Sequence, residues 1–441
     1  MSRSLNAGGP LDWSLITGPV PVVITVLGVA ALVFLLVSRH RSWWVRWGPL
    51  AVVVAAGLTW LVGIAVDDWW QLFPEGLPQQ NLVWIGVGIA GFVLAAFRMP
   101  RLRWRGRLGA VLAAVLVLVL AGSEINKSYQ EYPTLRTAPG PWQVKAGSLT
   151  AAERERRPVF KVPQGKGLAE SWQPPAGMPK AGAVAGVAVP GTVSHFAARD
   201  GYIYFPPAYL VSPRPLLPVL ILLPGQPGDT NNWVNSGELA VTMDAYAAAH
   251  KGLAPVILMV DPLGSTFANT LCMDSKIANV QTYLSRDVPD WIAAHLQVAT
   301  GRNALTIGGF SFGGTCSLQL AVNAPKVYGS FLDLSGQDEP TLGSRSKTVD
   351  AAFGGDAAAF AKVNPLDVLA RTSFPDTAAA IVAGTTDSTF TPQQERVQAA
   401  CKKAGMHTNF LLLPGGHGWD VWRGGLIQEL PWLATYTGLS P

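Results

Sequence analysis

The chain has 441 residues, a formal charge of +5, 49% hydrophobic residues and only 14% charged ones, with a mean hydropathy of +0.26, a balance too apolar for an ordinary soluble enzyme. The positive charge does not argue for nucleic acid, because much of it is arginine set between apolar runs. Three cysteines without Cys-x-x-Cys or Cys/His spacing exclude a disulfide scaffold and a structural zinc site, and no metal or other cofactor is expected.

In chain order, four apolar runs come first: Val20 to Val37, Leu50 to Val66, Leu82 to Phe97 and Leu108 to Ile125. Each is about the length that crosses a ~30 Å hydrocarbon layer as a helix. One such run would also suit a buried core helix or a signal peptide, but four in succession predict a four-span transmembrane bundle over residues 1–125. Arg39, Arg41 and Arg46 lie between the first two runs, and Arg98, Arg101, Arg103, Arg105 and Arg107 between the last two. The middle connection carries only Asp67, Asp68 and Glu75 among charged residues. The positive-inside bias therefore expects the first and third connections in the cytoplasm and both chain ends outside. Trp43, Trp44, Trp69 and Trp70 fall at run ends, where aromatic rings favour the membrane interface.

Residues 126–180 change to Pro, Gly, Lys and Glu without a period, with Pro139, Pro141, Pro158, Pro163, Pro174, Pro175 and Pro179. This composition predicts a linker. From 181 to 441, short apolar runs alternate with helical patterns. Strands are expected at Gly201 to Phe205, Leu216 to Leu223, Pro255 to Val260, Ala304 to Gly308, Ser330 to Leu334, Ala378 to Val382 and Phe410 to Leu413. Such alternation predicts a mostly parallel sheet with helices on both faces and the chemistry in loops at the strands' carboxyl ends.

One of those loops is Gly309-Phe310-Ser311-Phe312-Gly313, between a strand pattern and a helical one. Serine on a tight strand-to-helix turn needs glycines beside it, so that strand and helix can approach without Cβ clashes. Its hydroxyl needs a base to act as a nucleophile. His417, in Pro414-Gly415-Gly416-His417-Gly418 at a strand end, is the candidate base; His195 is a weaker competitor, and His250, His295 and His407 read as surface or capping residues. Asp387, just past a strand, is the candidate orienting acid, with Glu395 and Asp376 as alternatives. The order Ser311, Asp387, His417 is that of the α/β-hydrolase fold. The backbone N–H groups of Phe312 and Gln226 are the candidate oxyanion donors, since the prolines beside Gln226 have none. Trp419, Trp422 and Phe312 point to an apolar acyl or aromatic group in the pocket, with simple packing as the equal alternative. Cys272 and Cys316 are candidates to pair and fasten a loop in an oxidising compartment; two buried free thiols is the alternative.

Residues 182–436 resemble the extracytoplasmic esterases of actinobacteria, in the superfamily of esterase D and the mycolyltransferases. The resemblance rests on Tyr204-Phe205-Pro206-Pro207-Ala208-Tyr209, Leu223-Pro224-Gly225-Gln226-Pro227-Gly228, Tyr283-Leu284-Ser285-Arg286-Asp287-Val288-Pro289 and the serine and histidine loops. It implies a catalytic triad, no cofactor, and an ester substrate or acyl donor at the cell envelope. Where mycolyltransferases use a glutamate, this sequence has Asp387 at the expected strand end. The expectation is thus a serine carboxylic-ester hydrolase acting on a lipid or envelope ester, such as an aminoacyl-lipid or acylated glycolipid. Acyl transfer through the same triad is the alternative, and a non-catalytic binding domain a third reading.

Overall fold

Four helices occupy the four apolar runs: α1 (Pro19–Leu36), α2 (Gly48–Ile64, extended by π-turns at Trp43–Trp47 and Ala65–Trp69), α3 (Gln79–Arg98) and α4 (Trp104–Tyr129). Each is long and apolar enough to cross a membrane. The computed structural model describes residues 9–70, 73, 75–138, 147–149 and 155–440, and the chain divides into two units, Met1–Gln143 and Val144–Pro441. Within the first unit α4 packs on α1 and α3 at small residues. A Cβ added at Gly91 would come within 2.9 Å of Val117, and one at Gly28 within 2.5 Å of the Leu120 Cβ, so larger residues there would push the helices apart.

The second unit holds an eight-stranded sheet: β1 (Ala183–Val187), β2 (Gly201–Phe205), β3 (Val219–Leu223), β4 (Val256–Met259), β5 (Leu305–Phe310), β6 (Ser330–Leu334), β7 (Ala378–Gly384) and β8 (His407–Leu413). The spatial order is β1-β2-β4-β3-β5-β6-β7-β8. β1 with β2 and β2 with β4 pair antiparallel, and the remaining neighbours pair parallel. The central strands are covered on both faces, which is why they read as unbroken apolar runs. Helices α5 (Leu239–Ala249) and α9 (Trp419–Tyr436) pack with Leu220, Leu222, Leu332 and Leu334. On the opposite face α6 (Val288–His295), α7 (Phe312–Asn323) and α8 (Thr391–Lys403) pack with Val219, Ile221, Ile307 and Phe331. The fold is that of an α/β hydrolase, preceded by four apolar helices.

The expected linker over 126–180 differs from what the structure describes. Residues 139–146 and 150–154, with Pro139 and Pro141, lie outside the described residues. α4 continues to Tyr129, and the chain then turns back on the amino-terminal segment: Leu15 N–H donates to the Pro133 carbonyl at 2.9 Å, and Arg136 Nε to Asp12 at 2.7 Å. Residues 155–180 are laid on the second unit rather than free of it. Gln297 brackets Arg157, accepting its N–H at 2.9 Å and donating to its carbonyl at 2.7 Å. Arg214, fully buried, donates to the carbonyls of Tyr209 (2.7 Å) and Glu155 (2.9 Å). Trp172, also buried, stands edge-on to Phe160 and donates to the Lys251 carbonyl at 3.0 Å. Proline and glycine leave only one short helical turn here, Leu168–Ser171, but they do not exclude anchoring by two aromatic rings and an arginine.

Candidate active site

β5 delivers the chain to Ser311, and α7 begins at the next residue. Ser311 has φ 53° and ψ −119°, a conformation that L-residues rarely adopt and that persists only where the surroundings over-determine it. The two glycines of the motif supply those surroundings. A Cβ at Gly309 would meet the backbone of Gly313 at 2.5 Å, and one at Gly313 would collide with the Leu223 carbonyl. The Ser311 N–H donates to the Leu334 carbonyl at 2.8 Å, tying the turn to β6.

The loops after β7 and β8 bring the other two candidates to this turn. His417 Nε2 lies 2.9 Å from Ser311 Oγ, and His417 Nδ1 lies 2.9 Å from Asp387 Oδ2. The two loops are pinned together: Thr385 N–H donates to the Leu413 carbonyl (2.8 Å), and Thr386 donates its N–H (2.9 Å) and hydroxyl (2.8 Å) to that of Gly415. Asp387 is buried, and burial alone would raise its carboxyl. The hydrogen bond and charge of His417, with N–H donation from Phe390 and Thr389 to Oδ1, outweigh that and hold it below its ordinary value. It is placed to stay ionised beside an imidazolium. The ring of Phe390 lies on one face of His417, with Trp422 perpendicular to the imidazole at 5.1 Å. Nothing in the sequence pattern announced Phe390, because its part depends on α8 starting within four residues of the acid, directly after Phe390.

The loop after β3 abuts the serine turn: a Cβ at Gly225 would lie 3.3 Å from the Ser311 Cβ. Among the described residues no hydrogen bond takes up the N–H of Gln226 or of Phe312, and the latter is one of the open donors at a helix start. The Gln226 side chain donates to the Phe267 carbonyl at 2.9 Å, and Gly228 N–H to that of Thr266 at 3.1 Å. Thus a second loop, residues 261–276, braces the first. At its root, buried Asp261 accepts two bonds from the Arg199 guanidinium, at 2.9 and 2.8 Å. Further along, Cys272 is disulfide-bonded to Cys316 of α7, with a Cα separation of 5.3 Å. Leu271 and Met273 on either side pack with Val349, Ala352 and Phe360 of the β6–β7 excursion.

Other candidates fall elsewhere. Glu395 is exposed on α8, exposed Asp376 lends its carbonyl to Arg302, and exposed His195 lies in the turn before β2. Trp419 is fully buried against Phe310 and Trp233, and Trp422 and Phe312 are buried as well. Of the two readings of these rings, their burial favours packing beneath and against His417. The YLSRD motif is structural: Asp287 accepts bonds from Thr192, Val193 and Ser194, and the Tyr283 hydroxyl donates to the Val189 carbonyl. Among the described residues no group of three or more His, Cys, Asp or Glu is placed to hold a metal ion.

The esterase family model matches residues 197–433, more than half of the chain, a span that includes Gln226, Ser311, Asp387 and His417. The chain belongs to the esterase family. This esterase is 38% identical over 434 residues to an uncharacterized protein of Corynebacterium glutamicum, covering 95% of this chain and 96% of that relative, so the likeness includes the four-helix unit. A solved ferulic acid esterase is similar over 59% of this chain and 100% of its own, with 16% identity and a TM-score of 0.51, which shows a common fold. An S-formylglutathione hydrolase from Agrobacterium tumefaciens is 16% identical over 59% of this chain and 97% of its own, with a TM-score of 0.48. The esterase is an ester-hydrolysing enzyme with an α/β-hydrolase fold, and its chain also contains four helices long and apolar enough to cross a membrane.

Proposed function

We propose that this protein is a serine esterase that cleaves a lipid or cell-envelope ester on the outer side of the membrane, through an acyl-enzyme on Ser311. The observation that carries the reading is the unbroken chain Ser311 Oγ, His417, Asp387, with 2.9 Å at each link. His417 Nε2 takes the hydroxyl proton as Oγ attacks the ester carbonyl carbon. The tetrahedral oxyanion is received by the N–H groups of Phe312 and Gln226, and Asp387 holds the imidazole and offsets its charge. As the alkoxide leaves, it takes the proton from His417, and the acyl group remains on Ser311. An attacking water then gives up a proton to His417 and releases the acid; a sugar hydroxyl in its place would make the same enzyme a transferase.

Two observations support the outer placement. The arginine-bearing connections are the first and third, so an even number of spans returns the chain to the outside before the hydrolase unit. The Cys272–Cys316 disulfide suits an oxidising compartment. The test is mass spectrometry of purified protein after incubation with envelope lipids, comparing wild type with Ser311→Ala. An adduct on Ser311, or a lipid consumed by wild type alone, supports the reading and names the acyl group. The absence of both, together with no labelling of Ser311 by a fluorophosphonate, would leave a binding domain.

A further inference from the structure

The first 126 residues contain nine arginines and no lysine, whereas residues 127–441 contain twelve of each. Membrane orientation is served equally by either residue, so the exclusive use of arginine in this part of the chain calls for a separate reason. Eight of the nine lie in or beside the α1–α2 and α3–α4 connections, with no acidic residue from 13 to 66 or from 76 to 123 to neutralise them.

The structure gathers these connections at one end of the four-helix unit. Arg98, at the end of α3, donates to the Val37 carbonyl at 2.8 Å and to that of Phe34. Its guanidinium also lies 5.6 Å from the Trp43 ring, while that of Arg101 sits 4.4 Å over Trp47. Arg107 donates to the carbonyls of Met99 and Leu102 at 3.1 and 3.0 Å. These three arginines knit the end together. Arg39, Arg41, Arg46 and Arg103 are exposed, and among the described residues no hydrogen bond, ion pair or ring contact engages their guanidinium groups. Trp44, Trp47 and Trp104 are exposed beside them at 56%, 37% and 70%, as rings at a headgroup level are.

We propose that this end of the four-helix unit is a binding surface for anionic phospholipids, in which the free guanidinium groups grip headgroup phosphates through paired N–H donors. A guanidinium matches two phosphate oxygens at once, which an ammonium cannot do. The flanking tryptophans set the depth at which those phosphates lie. The surface is built from residues of the first unit alone, and the proposal does not depend on how the serine site works.

The experiment uses the full chain purified in neutral detergent and exposed to equimolar phosphatidylglycerol and phosphatidylcholine, with bound lipids counted by native mass spectrometry. Wild type retains phosphatidylglycerol in preference. Removing Arg39, Arg41 and Arg103 together as Gln weakens that retention by about fivefold per arginine, while a triple Lys variant, with the charge intact, restores only part of it. Both variants are first checked for a monodisperse elution profile and wild-type circular dichroism. Equal retention of the two lipids by wild type, or wild-type retention by the Gln variant, would overturn the proposal. Full recovery by the Lys variant would overturn the paired-donor grip.

Discussion

The Phe390 ring lies 3.9 Å from that of His417 and within 20° of parallel to it, while the Phe390 backbone N–H donates to Asp387 at 3.0 Å. One residue therefore touches both the base and the acid, and its π face lies where positive charge develops during the reaction. A ring in that position stabilises a cation by roughly 0.5–2 kcal/mol. Phe390→Leu should lower kcat about 2- to 30-fold with KM nearly unchanged, and Phe390→Tyr should restore it. A change confined to KM would assign Phe390 to substrate binding instead.

Asp387→Asn should keep the fold and lose about 10³–10⁴-fold in kcat, because the amide no longer holds the imidazole in the working tautomer. Ser311→Ala should lose fluorophosphonate labelling entirely with an unchanged melting profile. Near-wild-type turnover by Asp387→Asn would transfer the orienting role to another carboxylate.

Asp333, at the centre of β6, is wholly buried. Burial pushes its carboxyl from 3.8 up to about 7, against hydrogen bonds from Gln394 and Gly336. Because the folded-state value is raised, its contribution to stability is fully present below the ordinary value and is lost as pH rises through about 7. Asp333→Asn, neutral at every pH, should therefore gain more melting temperature relative to wild type at pH 8.5 than at pH 5. The gain should be on the order of 2–4 °C per kcal/mol recovered. Asp387 runs the other way: its lowered value stabilises the fold above the ordinary carboxylate range, and that contribution disappears on acidification. A pH-independent difference between the Asp333 variant and wild type would mean that the carboxylate is ionised throughout.

The Cys272–Cys316 bond closes a sequence separation of 44 residues, for which chain entropy alone gives about 4 kcal/mol. Replacing both cysteines with alanine should lower the melting temperature. It should also lower kcat more than it raises KM, since loop 261–276 then braces the Gln226 turn less firmly. Unchanged kcat in a destabilised variant would reduce the bond to a staple.

Most of the sheet could be read ahead of the structure because strands such as Val219–Leu223 and Ala378–Gly384 are buried on both faces and so appear as unbroken apolar runs. β1 could not: Ala-Val-Ala-Gly-Val has little side chain to declare a face, and it is a strand by virtue of its pairing with β2. Ser311, His417 and Asp387 were legible because each sits at a strand end among glycines or turn residues. Whether the tryptophans after His417 line a pocket or pack beneath it could not be read from the sequence, since proximity to a site does not say which way a helix turns its rings. Phe390, the bracing of the Gln226 turn by loop 261–276 and the anchoring of 155–180 were hidden for a common reason. Each depends on contacts between segments far apart in the chain, such as Gln226 with Phe267 or Arg157 with Gln297.

Cys316 is the fifth residue after Ser311, in the first turns of the helix that Ser311 precedes. With the orientation proposed above, a chain threaded through the bilayer the other way round would keep both thiols reduced and leave loop 261–276 unfastened, so the redox state of Cys272 and Cys316 would report which way each copy was inserted.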